Sequence, residues 1–194
     1  MDKWAHLGHQ LGECWVNTDK SITYINIPKN ASSYMKACLM GSGELWTYHD
    51  HFVPQQRTLV ILRDPVERWC SGIAQSLFNS GTELPDDIVF KRITVDDHTE
   101  LQTYFLQDID LDNCDFIMVN DNFRSNLQFW FDQYGYNTDI THLQQLNSSQ
   151  NDGRRYLKQK YKMIIDNDPE FVLKLQQHFE EDYKLISKVK FYGN

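Results

Sequence analysis

The sequence predicts an α/β fold with a mostly parallel central sheet in three layers. Two observations carry this. Short β-branched runs alternate along the chain with segments of helical period. Two of those runs, 21–27 and 58–62, pass through a short polar turn directly into a helix. The length of 194 residues fits a single domain, 1–194, with enough chain for a real core.

Taken in order, residues 1–20 have no clear period and form a poorly defined N-terminal segment, although Trp4, Leu7, Leu11 and Trp15 can make one apolar stripe. The first strand, 21–27, ends at Pro28, which cannot donate to a ladder. A helix follows over 33–40, with Ser32 or Ser33 as its cap and Gly41-Ser42-Gly43 as its stop. Residues 45–48 read as a second strand that delivers His49-Asp50-His51-Phe52 to the carboxyl edge of the sheet. Strand 58–62 leads to a helix over 65–78, with Asp64 at its cap and Pro65 in its first turn. Residues 79–97 hold Gly81, Pro85 and several acids and read as a surface excursion. A helical stretch is expected from His98 to about Leu106, a buried strand at 116–119 and a helix at 122–134. A polar linker follows at 143–149. The last helix is expected over 169–185, with Phe171, Leu175, Phe179 and Tyr183 on one face.

The formal net charge of −8 argues against nucleic acid as a partner, and mildly against a highly sulfated polymer. It leaves room for a local basic pocket from Lys29, Arg63, Arg68, Arg154, Arg155 and Lys158. No apolar run approaches the length of a membrane span, and no basic region followed by an apolar stretch opens the chain. A soluble, cytoplasmic protein is expected. Cys14, Cys38, Cys70 and Cys114 match no zinc or redox spacing and read as reduced thiols, with Cys38 and Cys70 in buried helices. No metal cluster is evident.

The stretch Ile27-Pro28-Lys29-Asn30-Ala31-Ser32-Ser33 sets a tight polar turn between a strand and a helix N-terminus. Backbone N–H groups and the positive end of the helix dipole converge there, and Lys29 adds a charge, so a phosphate or sulfate fits. Arg63 leaves the carboxyl end of the strand 58–62, where ligands of open α/β sheets bind, and Ser71 lies two turns into the next helix. Taken one at a time, these residues also allow a capped helix, a solvent-facing lysine, an Arg63 ion pair with Asp64 or Glu67, and a buried Ser71 hydroxyl. Together they resemble the paired nucleotide-binding motifs of the sulfotransferases that use 3′-phosphoadenosine 5′-phosphosulfate (PAPS). Residues 27–33 are similar to the family's 5′-phosphosulfate loop, and Arg63 to Ser71 to its 3′-phosphate motif. The nearest likeness is to carbohydrate O-sulfotransferases of the heparan 2-O-sulfating type. The resemblance runs from about Ser21 onward, and only the two phosphate motifs are highly specific.

The resemblance implies a P-loop-like sulfotransferase fold. It implies PAPS as donor, 3′-phosphoadenosine 5′-phosphate (PAP) as product, and a saccharide hydroxyl as acceptor. It assigns Pro28, Lys29, Asn30, Ala31, Ser32 and Ser33 to the 5′-phosphosulfate, with Lys29 neutralising the leaving phosphate. Arg63 and Ser71 fall to the 3′-phosphate. Residues 146–156, with Arg154 and Arg155, resemble the late loop that closes over the nucleotide, without deciding which arginine turns inward. His98 and Gln102 resemble a His-x-x-x-Gln segment on the acceptor side. Tyr48-His49-Asp50-His51 resembles the His-x-His segment of the 2-O-sulfating type, in which the second histidine is the base. The base is therefore assigned to His51, a supporting role to His49, and His98 stands in reserve. Asp50 points the other way if the strand continues and can orient a ring if it turns.

Sulfuryl transfer needs in-line positioning, charge stabilisation on the leaving phosphate and a base for the acceptor proton. Side chains and backbone amides can supply these without a metal. The turn is not a Walker A loop, since it lacks Gly-x-x-x-x-Gly-Lys-Ser/Thr and its lysine comes first. Two other readings remain open at this point. One is a P-loop-like nucleotide kinase. The other is a catalytically silent nucleotide-binding module.

Overall fold

The computed structural model describes residues 12–81, 86–141, 143 and 153–192, with backbone alone at 86–88. By contacts the chain divides into two compact units, each discontinuous in sequence. The sheet unit comprises, among described residues, 12–63, 105–141, 143 and 188–192; the helical unit comprises 64–104 and 153–187.

The sheet unit holds five strands: β1 (Cys14–Asn17), β2 (Ile22–Ile25), β3 (Thr47–His49), β4 (Arg57–Leu62) and β5 (Cys114–Met118), in spatial order β3-β1-β2-β4-β5. β2, β4 and β5 are parallel, whereas β1 is antiparallel to both of its neighbours. The sheet is thus mixed rather than mostly parallel, and the cause is β1. Residues 14–17, without period by sequence, form a hairpin with β2. Its turn is closed by Ser21 N donating to Thr18 O at 3.2 Å and by Lys20 N donating to the Asn17 side chain at 2.9 Å. Because β3 is antiparallel to β1, it runs in the same direction as β2 and β4.

Alternate residues of the central strands meet helices α1 (Ser32–Gly41) and α4 (Phe123–Gln133). Ile22, Tyr24, Leu59, Ile61 and Ile117 pack with Met35, Leu39, Leu127 and Trp130 in one core cluster. Ile25, Val60 and Leu62, on the other face, are also buried, so β2 and β4 lose both faces to the interior. Such doubly buried strands read as continuous apolar runs, which is why they were legible. Asp115 on β5 accepts from Trp130 Nε1 at 3.0 Å and from Tyr134 Oη at 2.7 Å, which anchors α4 to the sheet.

The helical unit contains α2 (Pro65–Ser80), α3 (Asp86–Arg92), α5 (Gly153–Asn167), α6 (Pro169–His178) and α7 (Glu180–Lys188). α2 has the expected start: Asp64 caps it by accepting from Glu67 N at 2.9 Å, with Pro65 at the first position. Trp69, Ile73 and Leu77 of α2 pack with Tyr161, Phe171, Leu175 and Phe179. The expected surface excursion after α2 contains α3 instead, and Val89 and Ile93 are buried in this cluster. The expected helix over 169–185 is two helices that meet at Phe179. The stretch from His98 is irregular up to a single 3-10 turn at Thr103–Leu106. All four cysteines are free thiols; Cys38 and Cys70 are buried as expected, and burial pushes the Cys38 thiol up to about 12. Among the described residues, no helix is long and apolar enough to cross a membrane.

Candidate functional site

β2 stops at Ile25, and the chain is then held by hydrogen bonds to the start of the hairpin. Asn26 N donates to Glu13 O at 2.9 Å, and Asn26 Nδ2 donates to Glu13 Oε2 at 3.1 Å. Asn30 N closes a tight turn onto Ile27 O at 3.3 Å. In that turn Lys29 and Ala31 adopt left-handed backbone, φ 68° and 58°, while Asn30 between them does not. Left-handed residues on either side of one that is not resemble the pattern of an anion-binding nest, with Asn30 N engaged by Ile27 O within the turn.

The nest opens into α1. Ala31 holds the N-cap position, not Ser32 or Ser33, and no side chain caps the helix. By contrast, α2 and α6 are capped by Asp64 and Asp168. The first-turn N–H groups of α1 are thereby left to solvent or to a ligand, at the positive end of the helix dipole. Ser32 and Ser33 are half-buried at this end, as is Lys29, and Pro28 is buried.

Two bonds fix the turn to β4. Asn30 is fully buried, and its Nδ2 donates to Ile61 O at 2.7 Å. Arg63, the first residue after β4, donates from Nη1 to Lys29 O at 3.4 Å. The structure therefore brings Lys29 and Arg63 together, although they lie far apart in sequence.

The histidines leave the same edge of the sheet. Ile25 and His49 both pair with Cys14, so they stand level, two strand spacings or about 10 Å apart. β3 ends at His49 and the chain bends at Asp50. That bend brings Asp50 Oδ1 to 2.8 Å from His51 Nδ1, and it sets the His49 and His51 rings edge to face at 5.9 Å between centroids. The Asp50 carboxyl is held below its ordinary value, chiefly by the hydrogen bond from His51. Both His51 and Asp50 are open to solvent.

The other expected site residues belong to the helical unit. Ser71 is half-buried on α2. Arg154 and Arg155 stand in the first turn of α5, where a closing loop was expected. Arg154 Nη1 donates to Gln75 Oε1 at 3.1 Å and its guanidinium lies 5.5 Å from the Phe78 ring centroid, while Arg155 is exposed. The residues from 144 to 152 lie outside the described ones. Gln102 is no surface acceptor contact: it is fully buried and donates from its backbone and side chain to Asp182 Oδ2, at 2.9 and 3.3 Å. His98 Nδ1 lies 3.2 Å from both Asp96 Oδ2 and Asp97 Oδ1. With no helix there, His98 and Gln102 do not share a helical face. Arg68, expected in a local basic pocket, is buried and donates to the backbone carbonyls of Glu100 and Asp97. Its α2 neighbour Gly72 leaves no room for a side chain, since a Cβ there would meet His98 O at 2.1 Å.

Sequence reasoning missed Glu13 at this edge, because β1 itself was unread. The signal was present: an aromatic and β-branched pair, Trp15-Val16, then Asn17-Thr18-Asp19 as a turn, then the apolar run of β2. The chain matches no family model, no curated protein and no solved structure.

Proposed function

We propose that the protein is a PAPS-dependent O-sulfotransferase of P-loop-like fold, which moves a sulfuryl group to an acceptor hydroxyl on a saccharide. The observation that carries the reading is the turn 28–31. Its left-handed Lys29 and Ala31 stand at the uncapped N-terminus of α1, with Arg63 bonded to the same turn.

In this reading the nest, Ser32 and Ser33 hold the 5′-phosphosulfate by backbone and hydroxyl donors. The acceptor oxygen attacks sulfur in line with the anhydride oxygen. A new O–S bond forms, the S–O bond to phosphate breaks, and the electron pair leaves on PAP. Lys29 meets the charge that grows on that phosphate. His51 accepts the acceptor's proton, and His49 orients the acceptor. Arg63 reads the 3′-phosphate with its two-pronged guanidinium. The family resemblance adds Ser71 to the same phosphate, and Arg154 and Arg155 to the nucleotide.

Calorimetric titration with PAP, AMP and ATP–magnesium, followed by PAPS turnover on a saccharide panel, tests the reading. PAP is expected to bind far more tightly than AMP, and PAPS to be consumed in the presence of an acceptor. Equal affinity for PAP and AMP overturns the donor assignment. Magnesium-dependent ATP binding with no response to PAP would favour a kinase. PAP binding without turnover on any acceptor would leave a silent binding module.

A further inference from the structure

We propose that Asp50 is the positioning residue of the candidate base: it holds His51 in the Nδ1–H tautomer and so presents Nε2 as the atom that takes a proton. The inference rests on the sulfotransferase reading for its catalytic meaning, though not for its geometry.

Asp50 Oδ1 lies 2.8 Å from His51 Nδ1, within hydrogen-bond distance of a donating N–H. An ionised carboxylate can only accept, so the proton of this bond sits on the ring nitrogen. Hydrogen-bonding to one ring nitrogen decides the role of the other, which leaves Nε2 with its lone pair. Aspartate is here the residue between the two histidines, and it reaches His51 only because β3 ends at His49.

An exposed pair of neighbouring residues would have little value if its backbone could wander. Three contacts hold this backbone. Cys14 Sγ donates to His51 O at 3.3 Å. Thr23 Oγ1 donates to Val53 O at 2.6 Å. Gly12, at φ +78°, lies against Phe52 so closely that a Cβ would meet its backbone N at 2.8 Å. Residues 51, 52 and 53 are thus each pinned, in turn, by β1, the chain before β1, and β2. The groups around the ring are Asp50 and His49 on its own segment, and Cys14 from β1 through the main chain.

The arrangement does for His51 what a buried carboxylate does for the histidine of a hydrolase triad: it sets tautomer and orientation without itself taking the proton. Asp50 is accordingly a positioning residue, and His51 remains the group that touches the acceptor.

The test is nitrogen-15 NMR of histidine-labelled full-length protein, with the His51 signals assigned by their loss in His51→Gln. The wild type is expected to show neutral His51 protonated at Nδ1. Asp50→Ala is expected to move it toward the Nε2–H form that free imidazole prefers, with PAP affinity unchanged and kcat reduced roughly 10- to 100-fold. Asp50→Asn, which keeps the shape, separates lost charge from lost packing and is expected to lower kcat while the protein stays folded. A His51 tautomer that is the same in wild type and Asp50→Ala overturns the proposal, whatever the protein does with PAPS. A tautomer that responds in a protein without PAPS turnover upholds the pairing and overturns the sulfotransferase reading instead.

Discussion

Arg63 Nη1 donates to the backbone carbonyl of Lys29 across 3.4 Å. The bond joins the carboxyl ends of β2 and β4, two parallel neighbours, at the turn where an anion would sit. A guanidinium is a rigid fork of five N–H donors that suits a phosphate. Arg63→Ala should therefore bring the affinity for PAP toward that for AMP. Loss of a charge-assisted contact costs about 1.5–3 kcal/mol. Arg63→Lys should recover only part of it, because an ammonium lacks the fork. Titration of both nucleotides into wild type and the two variants checks this; an unchanged PAP-to-AMP ratio in Arg63→Ala speaks against the assignment.

Lys29 combines a charge with a left-handed backbone, and two substitutions separate them. Lys29→Ala removes the charge and keeps the strain. Lys29→Gly removes both, so it should be more stable than Lys29→Ala by about 1 kcal/mol. Both should depress kcat more than PAP affinity, since the charge on the leaving oxygen grows in the transition state. Urea midpoints and single-turnover rates read the two effects. Intact kcat in either variant would make Lys29 a plain binding residue.

Asn30 offers a sharper probe of the nest. Its buried Nδ2 donates to Ile61 O at 2.7 Å. Asn30→Asp would set a carboxylate against that carbonyl and a negative charge in the turn proposed to hold an anion. The variant is expected to lose about 2–4 kcal/mol of stability and most of its PAP binding. Denaturant unfolding and calorimetry report each loss, and Asn30→Asp with full PAP affinity would remove the anion from this turn.

In the helical unit, Asp182 is buried and receives four donors: N and Nε2 of Gln102, and N and Oγ1 of Thr103, at 2.9 to 3.3 Å. Truncation to Ala strands two backbone N–H groups at once. Asp182→Ala should cost about 3 kcal/mol or more. Asp182→Asn should cost less, because its remaining carbonyl oxygen still accepts. Equal midpoints for wild type and Asp182→Ala in urea would show that solvent replaces the clamp.

Acid should weaken the protein partly through Asp96. Burial works to raise its pKa, but hydrogen bonds from His98 and from Ser76 Oγ, the latter 2.6 Å away, outweigh it and hold the carboxyl below its ordinary value. A carboxyl depressed in the folded state stabilises fold at pH above its unfolded pKa, and that stabilisation is lost as pH falls through the folded value. The loss belongs below about pH 4. Asp96→Asn should flatten the fall of stability between pH 4 and lower values, measured by thermal unfolding across that range. An unaltered acid limb in the variant would assign it to other carboxylates.

The sequence by itself determined β2, β4, β5 and the helices that follow them, because strands buried on both faces and helices with one apolar face write their period into the residues. It also determined α2's start at Asp64-Pro65, a cap being local chemistry. It placed a lysine, small polar residues and an arginine at strand ends, where an anion site belongs. Tertiary structure alone decided the rest. The left-handed backbone at Lys29 and Ala31 has no glycine to announce it; it is accompanied by two side-chain bonds made only on folding, from Asn30 to Ile61 O and from Arg63 to Lys29 O. That β3 runs with β2, and so carries His49 and His51 to the same edge of the sheet, depends on β1 between them, whose pairing with β3 joins residues distant in sequence. The resemblance put Gln102 on the acceptor side, and charge put Arg68 in a local basic pocket. They are buried because a carboxylate on α7 and two backbone carbonyls, met only on folding, satisfy them.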